Sequence, residues 1–130
     1  MIIRVKNKDT LIAGEFRFKC SIGRSGTRLH KIEGDGSTPK GTYKFGKVYW
    51  RNDREKKPFT SLSTVKIKKK MVWCNDIRSK YYNKQISKNK NIKSEKLFRK
   101  DYKYNYFITI KYNTNNAKKG KGSAIFLHLT

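Results

Sequence analysis

Residues 15–23 read EFRFKCSIG, and they alternate. Phe16, Phe18, Cys20 and Ile22 fall on one side, Arg17, Lys19 and Ser21 on the other. A period of two is the mark of a strand with one buried face. The stretch therefore predicts a half-buried β-strand whose Phe16, Phe18, Cys20 and Ile22 face looks into a core. The same signal recurs in both directions along the chain. Upstream, IIRV (2–5) is a short strand. Downstream come TYKFGKVYW (42–50), rich in β-branched and aromatic residues, the weaker TVKI (64–67), the alternating YFITIKY (106–112) and SAIFLHL (123–129). Strands at this frequency predict an all-β sandwich or barrel. One short helix is expected over SEKLFRKD (94–101), with Ser94 as its N-cap and Glu95 in its first turn. SKNKNIKS (87–94) and TNNAKKGKG (114–122) read as solvated loops. No repeat or linker divides the chain, so a single domain over 1–130 is expected. That length buries roughly 65–70% of the unfolded chain's surface.

Composition narrows the partners. The chain has 33 Lys and Arg against 9 Asp and Glu, a net charge of +24, and 13% aromatic residues. Such a surface attracts polyanions and repels itself. Nucleic acid, anionic membranes and acidic cell-wall polymers are all compatible with it. Lys, Asn, Ile and Tyr are also abundant together, as AT-rich coding produces. No apolar stretch reaches the ~20 residues that span a membrane. The opening MIIRVKNKDT lacks the ~7–15-residue apolar core of a secretory signal. Cys20 and Cys74 are too few for a disulfide framework. With His30 and His128 they show no zinc-ligand spacing.

The densest local signal is HKIEGDGSTPKGTY (30–43). Gly34, Gly36 and Gly41 permit positive φ there, and Pro39 holds Thr38 extended. It is not a phosphate loop, because the G-x-x-x-x-G-K-[ST] spacing is absent. Taken alone it is compatible with an ordinary surface loop. Its place in a series is more informative: FKCSIGRSG, EGDGSTPKGTY, YWRNDR, WCND…YYN, SEKLFRKDYKY and GSAIFLH follow one another from about residue 16 to 130. In that order and spacing they resemble the L,D-transpeptidase (YkuD-type) catalytic domain, in its small, signal-poor bacterial branch.

The resemblance implies a β-sandwich domain and a cysteine nucleophile. That nucleophile would attack a peptide carbonyl in a peptidoglycan stem, release the terminal D-amino acid and hold the donor as a thioester. An amine or water would then resolve it, without metal or organic cofactor. The histidine of GSAIFLH would be the general base, which places that role on His128. The family's nucleophile belongs to a Thr/Ser-x-Gly-Cys stretch about one loop further on. The expectation is therefore a C-terminally incomplete domain without transpeptidase activity of its own, since a base without a thiol performs no acyl transfer. The oxyanion hole, built in the family around that cysteine, is expected to be missing with it. The substrate class implies the cell envelope or periplasm, although no signal peptide is visible.

Other residues carry two readings each. Glu33 and Asp35 can accept backbone N–H bonds in a tight turn or orient a substrate ammonium. Asp76, Tyr82 and Asn83 in WCNDIRSKYYN can border the substrate cleft or make local backbone bonds. Cys74, in a stretch that departs from the family at Asn75 and Ile77, reads as a buried thiol; catalysis would need His30 or His128 beside it. Cys20 reads as core, His30 as a surface residue, and Arg51, Asp53 and Arg54 as an ion-paired or turn-stabilising set. The partner expected is a peptidoglycan stem peptide. No specific nucleic acid is expected, and polyanions should bind without specificity at low salt. The competing function is a non-catalytic basic module that binds nucleic acid or cell wall. Lys interleaved with aromatics supports it, and the absence of any RRM, KH, zinc-finger or helix-turn-helix signature opposes it.

Overall fold

In chain order the strands are β1 (Ile3–Lys6), β2 (Thr10–Ala13), β3 (Phe16–Lys19), β4 (Thr27–Arg28), β5 (Thr38–Pro39), β6 (Phe45–Trp50), β7 (Thr64–Lys66), β8 (Met71–Cys74), β9 (Gln85–Ser87), β10 (Ser94–Lys96), β11 (Tyr106–Ile110) and β12 (Phe126–His128). The computed structural model describes residues 1–130 and contains no helix. The fold is thus mainly β. The strands form a four-stranded sheet β12-β11-β6-β7, two three-stranded sheets, β10-β8-β9 and β1-β2-β3, and the short parallel pair β4-β5.

The core joins the four-stranded sheet to β8 and its neighbours. Tyr49, Ile67, Trp73, Leu97, Tyr104 and Phe107 form one buried cluster, with Phe126 packed against it. Phe107 stacks between Tyr49 (4.7 Å) and Phe126 (4.5 Å), and the Trp73 ring meets Phe126 edge-on at 5.0 Å. Aromatic rings bury 150–250 Å² each and prefer these offset or edge-on contacts. Five of them therefore let a chain of modest apolar content build a core. The register of β11 shifts on β6 between Ile108 and Ile110. Gly46 leaves room at this bulge: a Cβ there would collide with Thr109 Oγ1.

Two expectations are corrected. Ser94–Asp101 is not helical. Ser94, Glu95 and Lys96 instead pair antiparallel with Cys74, Trp73 and Val72. Leu97 donates its N–H to Met71 O and is fully buried. Pairing with β8 and burial of Leu97 outweigh the weak local preference for a helix. The second correction concerns EFRFKCSIG. It forms β3, but Phe16 and Phe18 are 69% and 53% exposed. The strand pairs only with β2, so its apolar face meets no second layer. Alternation reports which side chains share a face, and nothing in it says whether that face is covered.

The YWRNDR stretch anchors the far end of β6. Buried Arg51 makes a two-pronged pair with Asp53, donates to Arg99 O and lies 3.5 Å over the Phe98 ring. Arg54 donates to the carbonyls of Lys100 and Asp101. Together they tie 51–54 to 98–101, and so fix the segment between β10 and β11.

Candidate functional site

The EGDG loop turns through Gly34 and Gly36, both at positive φ (80° and 71°). Its two carboxylates then part company. Asp35 faces inward to its own loop and accepts the amides of Ile32 and Ser37, the Ser37 hydroxyl, Lys31 Nζ (2.8 Å) and Arg28 Nη1. The Lys31 ammonium and then the Ile32 amide hold its carboxyl far below the usual range, against the opposing effect of burial. With every donor position supplied by the loop, Asp35 builds the turn.

Glu33 faces away from the turn. Its Oε1 accepts both the Tyr82 hydroxyl and the Ser123 hydroxyl, each at 2.6 Å. The Gly122 amide donates to Tyr82 Oη at 3.0 Å, and the Glu33 amide donates to Gly120 O at 2.8 Å. Three segments separated by up to 90 positions therefore meet on one carboxylate. Burial, and next the bond to Glu33, raise the Tyr82 phenol, which stays protonated as a donor. The Lys31 stem passes over Gly122, where a Cβ would meet Lys31 Cε at 2.9 Å and φ is +113°. Only glycine allows that close crossing.

Asn83 binds the same segment one residue further along, at Ala124. It sits at φ 59°. Its Oδ1 accepts Trp73 Nε1 (2.8 Å) and the Ala124 amide (3.0 Å), and its Nδ2 donates to Tyr112 O and Asn113 O. Asp76 accepts the amides of Arg78 and Lys93 and the Arg78 side chain. These bonds, the two amides first, lower its carboxyl to about 2. Asp76 and Asn83 thus have their polar atoms engaged by the protein, and so act as scaffold beside the Glu33 cluster.

His128 is exposed at the end of β12, opposite Phe107 of β11. Its ring meets Tyr104 edge-on at 5.3 Å, and its Nδ1 lies 2.5 Å from Leu129 O. When Nδ1 carries the proton, that contact is a hydrogen bond and Nε2 is left with its lone pair, the form a general base requires. Below the ring, Tyr104 donates its hydroxyl to Glu95 at 2.5 Å. Burial raises the Glu95 carboxyl; the Tyr104 bond and the charges of Arg99 and His128 oppose the rise, and Glu33 adds to it. Tyr104 thus touches Glu95, the Arg99 guanidinium 5.2 Å over its ring, and His128.

Ser123, Glu95 and Tyr104 are members of this site that the sequence did not single out. All three lie inside the motif segments GSAIFLH and SEKLFRKDYKY. Ser123 is buried beside Gly122, whereas Glu95 is half-buried in a mostly polar segment. Neither cysteine joins them. Cys74 is fully buried, and Cys20 is a half-buried thiol raised by burial and then by Asp9. No hydrogen bond links either to His30 or His128, and His30 is exposed on the loop before β5. A cleft of about 760 Å³ lies elsewhere, between Trp50, Glu55, Lys57, Thr64, Lys66 and Met71. Its lining includes none of Glu33, Tyr82, Asn83, Glu95, Tyr104, Ser123 or His128. Comparison with known protein families, curated proteins and solved structures finds no match to this chain.

Proposed function

We propose that these residues form the base-bearing part of an L,D-transpeptidase-like domain, a β-sandwich that binds peptidoglycan stem peptides in the cell envelope. His128 is the general base of a cysteine acyl transfer. One observation carries this reading: the Glu33 carboxylate gathers Tyr82 and Ser123. Through it the EGDG, YYN and GSAIFLH segments, three of the pieces on which the resemblance rests, converge beside the strand that ends in His128. Cys74 is sealed in the core and Cys20 sits on the N-terminal meander, so the 130 residues bring no thiol to His128. The +24 charge draws the carboxylate-rich stem to the surface.

The nucleic-acid reading has less behind it. Tyr49, Trp73, Tyr104 and Phe107, which a stacking platform would need at the surface, are buried.

The test is a titration of isotope-labelled protein with a peptidoglycan stem peptide, followed by NMR. Saturable shifts at Ser123, Tyr104 and His128 are expected, together with no release of D-amino acid by mass spectrometry. Absence of saturable shifts there would sink the substrate assignment. Turnover by these 130 residues would instead sink the statement that they lack a competent thiol.

A further inference from the structure

The N-terminal meander has two unlike faces. In its register Ile3 pairs with Ala13 and Ala13 with Phe16, while Val5 pairs with Leu11 and Leu11 with Phe18. These six apolar side chains therefore lie on one face, and the Phe16 and Phe18 rings stand 6.3 Å apart on it. Val5, Phe16 and Phe18 are each more than half exposed. The meander pairs with no other sheet, and nothing in the chain covers this face. The opposite face carries the cations: Arg4 and Arg17 flank Ile12 in the register, and Lys6 and Lys19 flank Thr10, with Lys8 in the adjoining turn beside a single carboxylate, Asp9.

We propose that this face docks on an anionic lipid surface, with Phe16 and Phe18 entering the headgroup–acyl boundary while the cations of the opposite face add to the attraction of the leaflet. Two observations select lipid over a second copy of the chain. The first is size. Strands of four residues rise about 3.3 Å per residue and lie about 4.8 Å apart, so the face projects only about 13 by 14 Å. A stable protein partner needs about 800 Å² on each side, several times that area. A bilayer requires neither a minimum patch nor a matching shape. The second is charge. Two copies would bring +24 against +24, whereas an anionic leaflet attracts basic residues within a Debye length. Docking would be peripheral; no helix is long and apolar enough to cross a membrane.

Charge alone would draw this protein to anionic vesicles, so the test must isolate the apolar face. Vesicles of phosphatidylglycerol and phosphatidylcholine are sedimented at about 0.15 M salt with wild type and with the double variant Phe16→Ser/Phe18→Ser, whose charge is unchanged. The expected result is a drop in partitioning of about tenfold or more in the double variant. Circular dichroism checks that it stays folded. A Phe16→Trp variant should shift its emission to the blue on vesicles and be quenched by brominated acyl chains. Equal partitioning of wild type and double variant would overturn the proposal in favour of charge alone. So would a dimer in sedimentation equilibrium that Phe16→Ser/Phe18→Ser dissolves, which would assign the face to a second copy.

Discussion

Asn83 is held at φ 59° by four hydrogen bonds to three separate segments. Asn83→Ala removes the bonds and forces a Cβ without polar compensation into the left-handed region. A loss of about 3 kcal/mol or more is expected in urea unfolding. Asn83→Gly loses the same bonds but relieves the backbone, and should be less damaging by about 1 kcal/mol. If both variants matched wild type, the anchoring role would be wrong. Two carboxylates at this scale respond to pH in opposite senses. The folded value of Asp76, about 2, lies below the ordinary ~3.9. Its stabilisation is complete above about pH 4 and is lost as pH falls through about 2. Asp76→Asn should flatten the stability profile over that window. Glu95 is raised by burial, so its ionised form is less favourable in the folded state than in the unfolded one. Glu95→Gln keeps an acceptor for Tyr104 and removes that penalty. The variant should match wild type at pH 4 and gain on it as pH rises toward 7; a constant difference across that range would refute the assignment. Of the polar residues singled out from the sequence, Glu33, Asp35, Asp76, Tyr82 and Asn83 all engage protein partners. What they do was legible only for Asp35, because a loop carboxylate flanked by glycines finds its partners locally. Glu33 finds its partners 49 and 90 positions away.

At the scale of elements, local propensity decided some segments and pairing decided others. β6, β7 and β11 lie inside the stretches that alternation and β-branched content indicate. β10 does not, because Ser94 and Glu95 carry a good helix start and the competing advantage comes from β8 and the pocket that takes Leu97. Leu97→Ala should therefore cost about 2–5 kcal/mol, as for other fully buried leucines. A surface helix would have given almost no change. The bulge of β11 offers a second test. Gly46→Ala should destabilise by about 1–3 kcal/mol through overpacking against Thr109. In the double variant with Thr109→Ala most of that loss should return, less the weak Thr109 bond to Lys47 O. Strict additivity in the cycle would mean that the two side chains do not meet.

For the whole molecule, charge sets the behaviour in solution. With +24 on 130 residues, self-repulsion opposes compaction. The unfolding midpoint should rise between about 0.02 and 0.15 M salt as the Debye length shortens from roughly 20 Å to 8 Å. Over the same range any binding to DNA or heparin should weaken steeply, with log K linear in log salt. A midpoint that fell with salt would point to ion pairs outweighing repulsion. The sequence by itself determined the β class and the net charge. Each of these is a local or summed property: alternation is set by the backbone's period of two, and charge adds residue by residue. Only the tertiary structure decided that Phe16 and Phe18 stay in water, that Ser94–Lys96 is a strand, and that Glu33, Tyr82 and Ser123 share hydrogen bonds. These depend on which segments become neighbours, and neighbour choice rests on contacts between residues tens of positions apart, whose energies no local pattern encodes.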